Sequence, residues 1–352
     1  MLDTLACCAL IQQQARTQQS HYVQQRDSAR SIWAALVAKT ALQERLLHNN
    51  ILGFTLPIQS CYRVEKRIRH YAVCGVDGSQ IYPNRHEGFS EYLVNIGTAH
   101  FVYHSTSYAL LTTKPYLLSG HEHASLLSAE VVNAQRIDYE LKHAVEVASH
   151  ESSPVIMFDG ALMFWHLQAP GMQERFAPSY VEHLRALQRE QKQYLGYISA
   201  SHSRELVVLL EQAAQLLGQE LTFDYLVDSD IAQFFLVPGQ YTQLFRPISR
   251  LNDLYPELLR PGFSYLHVGD EIARVELPAY LADDQSAIAH LIEVVLDQVE
   301  KGKGYPIALS EAHEQAVVKA VDRDFFYRML HMHYQAGPTV SLKLSKKRAA
   351  AI

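Results

Sequence analysis

Two aspartates that follow apolar runs are the residues of this chain best placed to do chemistry. Asp77 follows Tyr71-Ala72-Val73-Cys74-Gly75-Val76 and Asp159 follows Val155-Ile156-Met157-Phe158; a glycine comes after each, Gly78 and Gly160. A carboxylate at the end of a buried strand, with a glycine that lets the chain turn away, projects over a sheet edge. Two of them on neighbouring strands offer hard oxygen ligands suited to Mg²⁺ or Mn²⁺. A lone Asp-Gly is ordinary turn chemistry, so it is the repetition after strand-like runs that points to a metal.

A competent site needs a third carboxylate, and the helical stretch 122–149 offers Glu122, Glu130, Glu140 and Glu146. Glu140 lies one turn after Arg136, where an i,i+4 ion pair forms. It is also nineteen residues before Asp159, enough to finish the helix, turn and run one strand back. Glu130 is ten residues earlier, about 280° around the helix, so the two cannot both face the site and Glu130 stands as the alternative. Further on, Gly304-Tyr305-Pro306 precedes Ser310-Glu311-Ala312-His313. Pro306 holds Tyr305 extended, Ser310 suits a helix N-cap, and His313 in the first turn suits a metal ligand or proton carrier. His121/His123 and His331/His333 alternate like metal ligands. Both pairs fall in expected helix, where i and i+2 point to different sides. Arg274 and Glu276 share one face of a strand, as an ion pair or as part of a site.

The elements that must position these groups read as follows. Residues 1–50 are helical, Gln-rich and amphipathic, an arm that packs on the body or on a partner. A strand leads to Asp77, and residues 92–113 are β-rich, with His104-Ser105-Thr106-Ser107 as the turn of an antiparallel pair. Helix spans 122–149, a strand ends at Asp159, helix starts near Ser179, and Tyr194-Leu195-Gly196-Tyr197-Ile198 is a short strand. Helix follows over 203–217, β structure with several prolines over 231–278, then helices over 283–300, 310–320 and 323–334. This order gives an α/β domain around a mixed sheet, the arrangement of a ribonuclease-H-like fold, with additions at both ends.

Composition narrows the class. With 352 residues, 48% hydrophobic and 19% charged, the chain has ample core for a globular domain. A formal charge of −6 gives no overall basic field for nucleic acid, though a metal nuclease needs only a local basic track. The final stretch, with four basic residues over 343–348, reads as a solvated tail over 341–352. Four cysteines without a C-x-x-C pair suit a reduced, cytoplasmic compartment. Leu5-Ala6-Cys7 resembles a lipid-attachment box but lacks the preceding basic and apolar segments. No run reaches the roughly 20 apolar residues of a membrane span.

Taken in order, Asp77-Gly78-Ser79, Arg136-x-x-x-Glu140-Leu141, Phe158-Asp159-Gly160, Arg274-x-Glu276-x-Pro278 and Gly304-Tyr305-Pro306…Ala312-His313 resemble the NurA-type nucleases over about residues 70–335. The resemblance implies a ribonuclease-H-like nuclease domain over 56–340, beyond a helical arm over 1–55. It implies dependence on Mn²⁺ or Mg²⁺ as two ions, 5′–3′ trimming of DNA and cutting of single strands. It also implies a homodimer docked on a HerA-type hexameric ATPase, with a role in processing DNA ends. Asp77, Glu140 and Asp159 would be the metal carboxylates, His313 would complete the site and Tyr305 would support it. One departure is visible: where a basic residue is expected, the chain has Ile198-Ser199-Ala200-Ser201-His202, leaving His202 or Arg204, together with Arg274, for phosphate. Two other readings remain open, a catalytically weak adaptor of the ATPase and an RNA-directed nuclease of the same fold.

Overall fold

The computed structural model describes residues 3–49, 51–64, 68–84, 89–119, 128–150, 152–169, 171–282 and 284–334. The chain opens with α1 (Thr4–Ala38) and α2 (Thr40–His48), then β1 (Leu52–Gly53) and β2 (Cys61–Arg63). A meander follows of β3 (Tyr71–Ile81), β4 (Glu91–Tyr103) and β5 (Tyr108–Ser119), and then α3 (Ala129–Ala148), β6 (Val155–Asp159), α4 (Met172–Arg189) and β7 (Tyr194–Ile198). Next come α5 (Glu205–Leu216), α6 (Asp228–Ala232), β8 (Gln240–Thr242), β9 (Arg246–Pro247), β10 (Pro261–His267) and β11 (Ile272–Pro278). The last helices are α7 (Ala279–Ala282), α8 (Gln285–Lys301), α9 (Ile307–Ala316) and α10 (Ala320–Tyr334).

Nine strands form one mixed sheet in the order β2-β8-β10-β11-β7-β6-β3-β4-β5. The β3-β4-β5 meander is antiparallel, while β3, β6 and β7 are parallel and joined through α3 and α4. This is the ribonuclease-H-like order expected from the sequence, an antiparallel hairpin run followed by helix-linked parallel strands. The turn at 104–107 falls where it was expected.

Alternation along the central strands divides the core in two. Cys74, Val76, Ile156 and Phe158 pack under α3 and α4, whereas Val73, Val155, Met157 and Leu195 pack under α8 and α9. A third apolar cluster joins the second half of α1, through Ile32, Trp33 and Leu36, to α2, α5 and the strand residues Phe263 and Tyr265. The arm therefore packs on the body. Among the described residues no helix is long and apolar enough to cross a membrane, and all four cysteines are free.

Four sequence expectations change. The helix expected from near Ser179 is α4, which already starts at Met172, just after Gly171 in the left-handed region (φ of +75°). Asp77-Gly78 is not a turn: β3 runs on to Ile81 because its antiparallel pairing with β4 continues from Tyr71↔Tyr103 to Ile81↔Leu93. The stretch 231–278 is less β-rich than expected, because α6 and two 3₁₀ turns (Arg250–Leu254 and Glu257–Leu259) take up part of it. Finally, α9 starts at Ile307, so Ser310 lies inside the helix and His313 falls in its last turn. The Pro306 carbonyl already accepts the amides of Leu309 and Ser310. The buried Gln298 of α8 accepts the Ala308 amide at 3.1 Å, one of the donors a helix start leaves without a partner.

Candidate active site

β3 and β6 pair in parallel up to Val76↔Phe158, so the next residues, Asp77 and Asp159, stand side by side. Neighbouring strands lie about 4.8 Å apart, and both side chains belong to the face covered by α8 and α9. Asp159 ends its strand at a true turn, Gly160 having φ of +133°.

His313 reaches Asp77 because α9 lies directly on the sheet. A Cβ at Gly75 would stand 2.1 Å from the Ala308 carbonyl oxygen, and one at Gly97 would stand 2.3 Å from that of Ala312. Only glycine allows backbone to approach backbone this closely. The far end of the helix is tied down by the Asn95 amide, which donates to the Ala316 carbonyl at 2.8 Å, and by Ser79 Oγ. Held at both ends, α9 sets His313 Nδ1 2.9 Å from Asp77 Oδ2, while the Gly78 amide donates to Asp77 Oδ1 at 2.7 Å.

Glu140 arrives from the opposite face on α3, through the space left by Gly78. A Cβ there would be 2.6 Å from Glu140 Oε1 and 2.8 Å from Arg136 Cγ. Arg136 pairs with Glu140 across one helical turn and also donates to the Gly78 carbonyl at 3.4 Å. Burial, opposed by Arg136 and reinforced by the charges of Asp77 and Asp159, pushes the Glu140 carboxyl up to about 7. Asp159 opens to solvent, yet the atoms crowded around it raise its carboxyl. The hydroxyl of Tyr305 works against that shift, Asp77 adds to it, and His313 and Arg136 oppose it. Burial first, then Asp159, raises the Tyr305 phenol. Glu130, by contrast, is exposed in the first turn of α3, and its carboxyl is lowered by the Ser128 hydroxyl that caps the helix. Glu140 is therefore the helical carboxylate of this cluster.

The match of a NurA-domain family model to residues 71–318 covers most of the chain and every residue of the cluster. The chain belongs to the NurA family. Nuclease is the class of activity that this membership carries. No curated protein matches the chain. Among solved structures it is similar to an endonuclease V from Ciona intestinalis in complex with a 23mer DNA containing an inosine followed by a ribo-adenosine. That pair shows 11% identity and a TM-score of 0.34, over 74% of this chain and 87% of that one. It is also similar to human ENDOV, at 11% identity and a TM-score of 0.31, over 85% and 98% of the two chains. Likeness at this level has no bearing on the assignment.

In this NurA-family chain the donor chemistry fits a hard divalent cation. Carboxylates from β3, β6 and α3 lie near enough that the charges of Asp77 and Asp159 help raise Glu140 and that of Asp77 helps raise Asp159. Like charges so placed favour a cation between them. As they stand, no three His, Cys, Asp or Glu side chains among the described residues converge to hold an ion. Each carboxylate is instead engaged by its own neighbour: Asp77 by His313, Glu140 by Arg136 and Asp159 by Tyr305.

The residues considered for phosphate fare differently. Arg274 is 1% exposed, with its Nε 2.9 Å from Glu276 Oε1, one terminal nitrogen 2.9 Å from Glu205 Oε1 and its guanidinium over the Phe263 ring. It is a buried ion-pair residue and not a nucleic-acid contact. The other oxygen of Glu276 accepts the amides of Leu162 at 2.7 Å and Met163 at 3.1 Å. The pair thereby anchors the loop that leaves Asp159. Arg204 is committed to Glu211 at 3.2 Å and to the carbonyls of Phe223 and Asp224. His202 alone of the three is exposed. His121 and His123 lie outside the described residues, as does the basic tail, while α10 carries His331 and His333.

Residues 162–166 escaped the sequence reading, although they run straight on from the site. Their signal was an apolar stretch, Ala161-Leu162-Met163-Phe164-Trp165, continuing past a glycine turn where a solvated loop would be polar.

Proposed function

We propose that this chain hydrolyses DNA phosphodiesters with Mn²⁺ or Mg²⁺ held by Asp77, Glu140 and Asp159, as a 5′–3′ exonuclease and single-strand endonuclease. The observation that carries this reading is the in-register placement of Asp77 and Asp159 on adjacent parallel strands, with Glu140 brought against them from α3. Bound divalent ions supply water activation and relief of charge on the leaving oxygen. Asp77 is held in one orientation by the Gly78 amide and His313, and Asp159 is steadied by Tyr305. His313, with its side chain 58% exposed, holds or passes a proton at the outer oxygen of Asp77. With Glu140 holding a metal ion, the Arg136 guanidinium now paired with it would be available beside the carboxylates for phosphate oxygens.

Family membership supports the partner, a HerA-type hexameric ATPase, and a role in processing DNA ends. The β5 edge supports a homodimer. It is the last strand of the sheet among the described residues, twelve residues long, and it exposes Tyr108, Leu110, Leu111 and Leu117.

The test is cleavage of 5′- or 3′-labelled single- and double-stranded DNA in Mn²⁺, Mg²⁺ or EDTA, with and without the ATPase. Metal-dependent shortening from the 5′ end, absent in Asp77→Ala, is the expected result. Robust cleavage by Asp77→Ala in Mn²⁺ sinks the site, and a wild type inert under every condition sinks the nuclease. One observation favours the adaptor as the second reading. Glu271 accepts from Tyr197, Ser199 and the Ala200 amide, which places a negative charge where a phosphate contact was expected. An adaptor binds the ATPase and degrades nothing.

A further inference from the structure

A cavity of about 270 Å³ opens directly beside the carboxylates. Glu140, Asp159 and Arg136 line one part of it, and Leu162, Phe164 and Trp165 line another. At about 30 Å³ per water in the liquid, the space has roughly nine water-sized places, the scale of one bicyclic ring system and too little for a base pair. Its loop is preformed. Glu276 holds the Leu162 and Met163 amides, and the Tyr255 hydroxyl accepts the Phe164 amide at 2.9 Å while donating to the Leu162 carbonyl at 2.8 Å. Of the two tryptophans, Trp33 is buried against Phe235, whereas Trp165 is 39% exposed on this rigid loop. Nothing in the packing of the core accounts for an indole held open to solvent next to hydrolytic carboxylates.

We propose that this cavity is a base pocket, which takes one unstacked nucleobase of the strand being cut and stacks it on Trp165. The inference rests on the nuclease reading. It adds a binding site and a physical source of strand preference: a base in a single strand enters freely, whereas one in a duplex must first be unpaired. Every base has a π-face, so the pocket tolerates any sequence. The phosphate attached to the seated base then lies over Glu140 and Asp159.

The test compares binding of a short single strand with that of the same strand carrying one abasic residue. Phosphate charge is equal in the two, and both carry a terminal fluorophore. They are titrated against the full chain in Ca²⁺ and in EDTA, with the anisotropy of the label as the signal for every variant and tryptophan emission as a second signal for wild type. Wild type should bind the intact strand more tightly, with quenching of Trp165. Trp165→Ala should bind it about five- to 150-fold more weakly, the range found for base–aromatic stacking, and should no longer distinguish the two strands. Trp165→Phe should keep most of the discrimination, and its melting curve reports folding. Equal binding of intact and abasic strands by wild type, or undiminished discrimination in Trp165→Ala, overturns the pocket. Cleavage in Mn²⁺ is followed separately on the same strands. Discrimination without cleavage keeps the pocket and removes the nuclease, and cleavage without discrimination removes the pocket alone.

Discussion

Replacing Glu140 with Gln should make the metal-free protein more stable above neutral pH, although it removes a residue assigned to the site. The Glu140 carboxyl is raised from 4.5 to about 7, with burial as the leading cause. Below about pH 4.5 it is protonated in the folded and unfolded chains alike. Between that pH and about 7 the unfolded chain releases its proton while the folded chain keeps it, so stability falls as pH rises and the loss is complete above the folded value. At 1.36 kcal/mol per unit the loss is about 3 kcal/mol. Unfolding entropy of about 2.1 cal/mol/K per residue gives a chain of this length about 0.7 kcal/mol per degree. Glu140→Gln should therefore melt about 4 °C above wild type at pH 8 in EDTA, and the two should converge near pH 5. Comparing the two proteins cancels Asp228, which titrates alike in both. Mn²⁺ should invert the order, because a cation favours the ionised carboxylate and Gln offers none. Calorimetry over pH 5–8 with EDTA or Mn²⁺ reads all of this. A variant no more stable than wild type at pH 8 in EDTA refutes the reasoning.

Gly78→Ala should push Glu140 and Arg136 apart, costing about 1–3 kcal/mol of stability as an overpacked site does. It should also lower nuclease activity at least tenfold, both read on one preparation by melting and DNA cleavage. Arg274→Ala leaves Glu276 buried without its partner and should destabilise the fold by about 3–5 kcal/mol. The salt dependence of DNA binding by whatever folds should stay the same, which a phosphate contact would not allow. His313→Ala should reduce the cleavage rate by about 10²–10⁴, in the range of lost proton transfer, with a change in melting stability within about 0.5 kcal/mol because its side chain is largely exposed.

Much of the sheet was legible because its strands are apolar runs with alternate faces in different cores: Val73 and Val76 mark β3, and Val155 and Phe158 mark β6. Their relative register was not legible, and it is the register that sets Asp77 beside Asp159. Glu140 could not be separated from Glu130 by spacing alone. Helix phase is settled by where α3 starts, at the Ser128 cap, and by which face meets the sheet. The start of α9 was misplaced for a similar reason. Ser310 has good capping chemistry, but Gln298, from another helix, holds the first-turn amide. For Arg274 the ion pair with Glu276 was legible beside a site role, but its second partner, Glu205, lies 69 residues away, beyond local pattern, so the choice was not. Glycine was the subtlest case. Gly78 reads as a turn residue in sequence, yet in the fold it is the missing side chain that lets Glu140 reach the site.

The account stands or falls on Asp159, the carboxylate at the mouth of the site. End-labelled single-stranded DNA should be degraded by wild type in Mn²⁺ and left intact in EDTA, and Asp159→Asn, which keeps size and shape but loses the charge, should leave it intact in both. Degradation by Asp159→Asn at the wild-type rate, or by wild type in EDTA, would contradict a metal held between Asp77, Glu140 and Asp159.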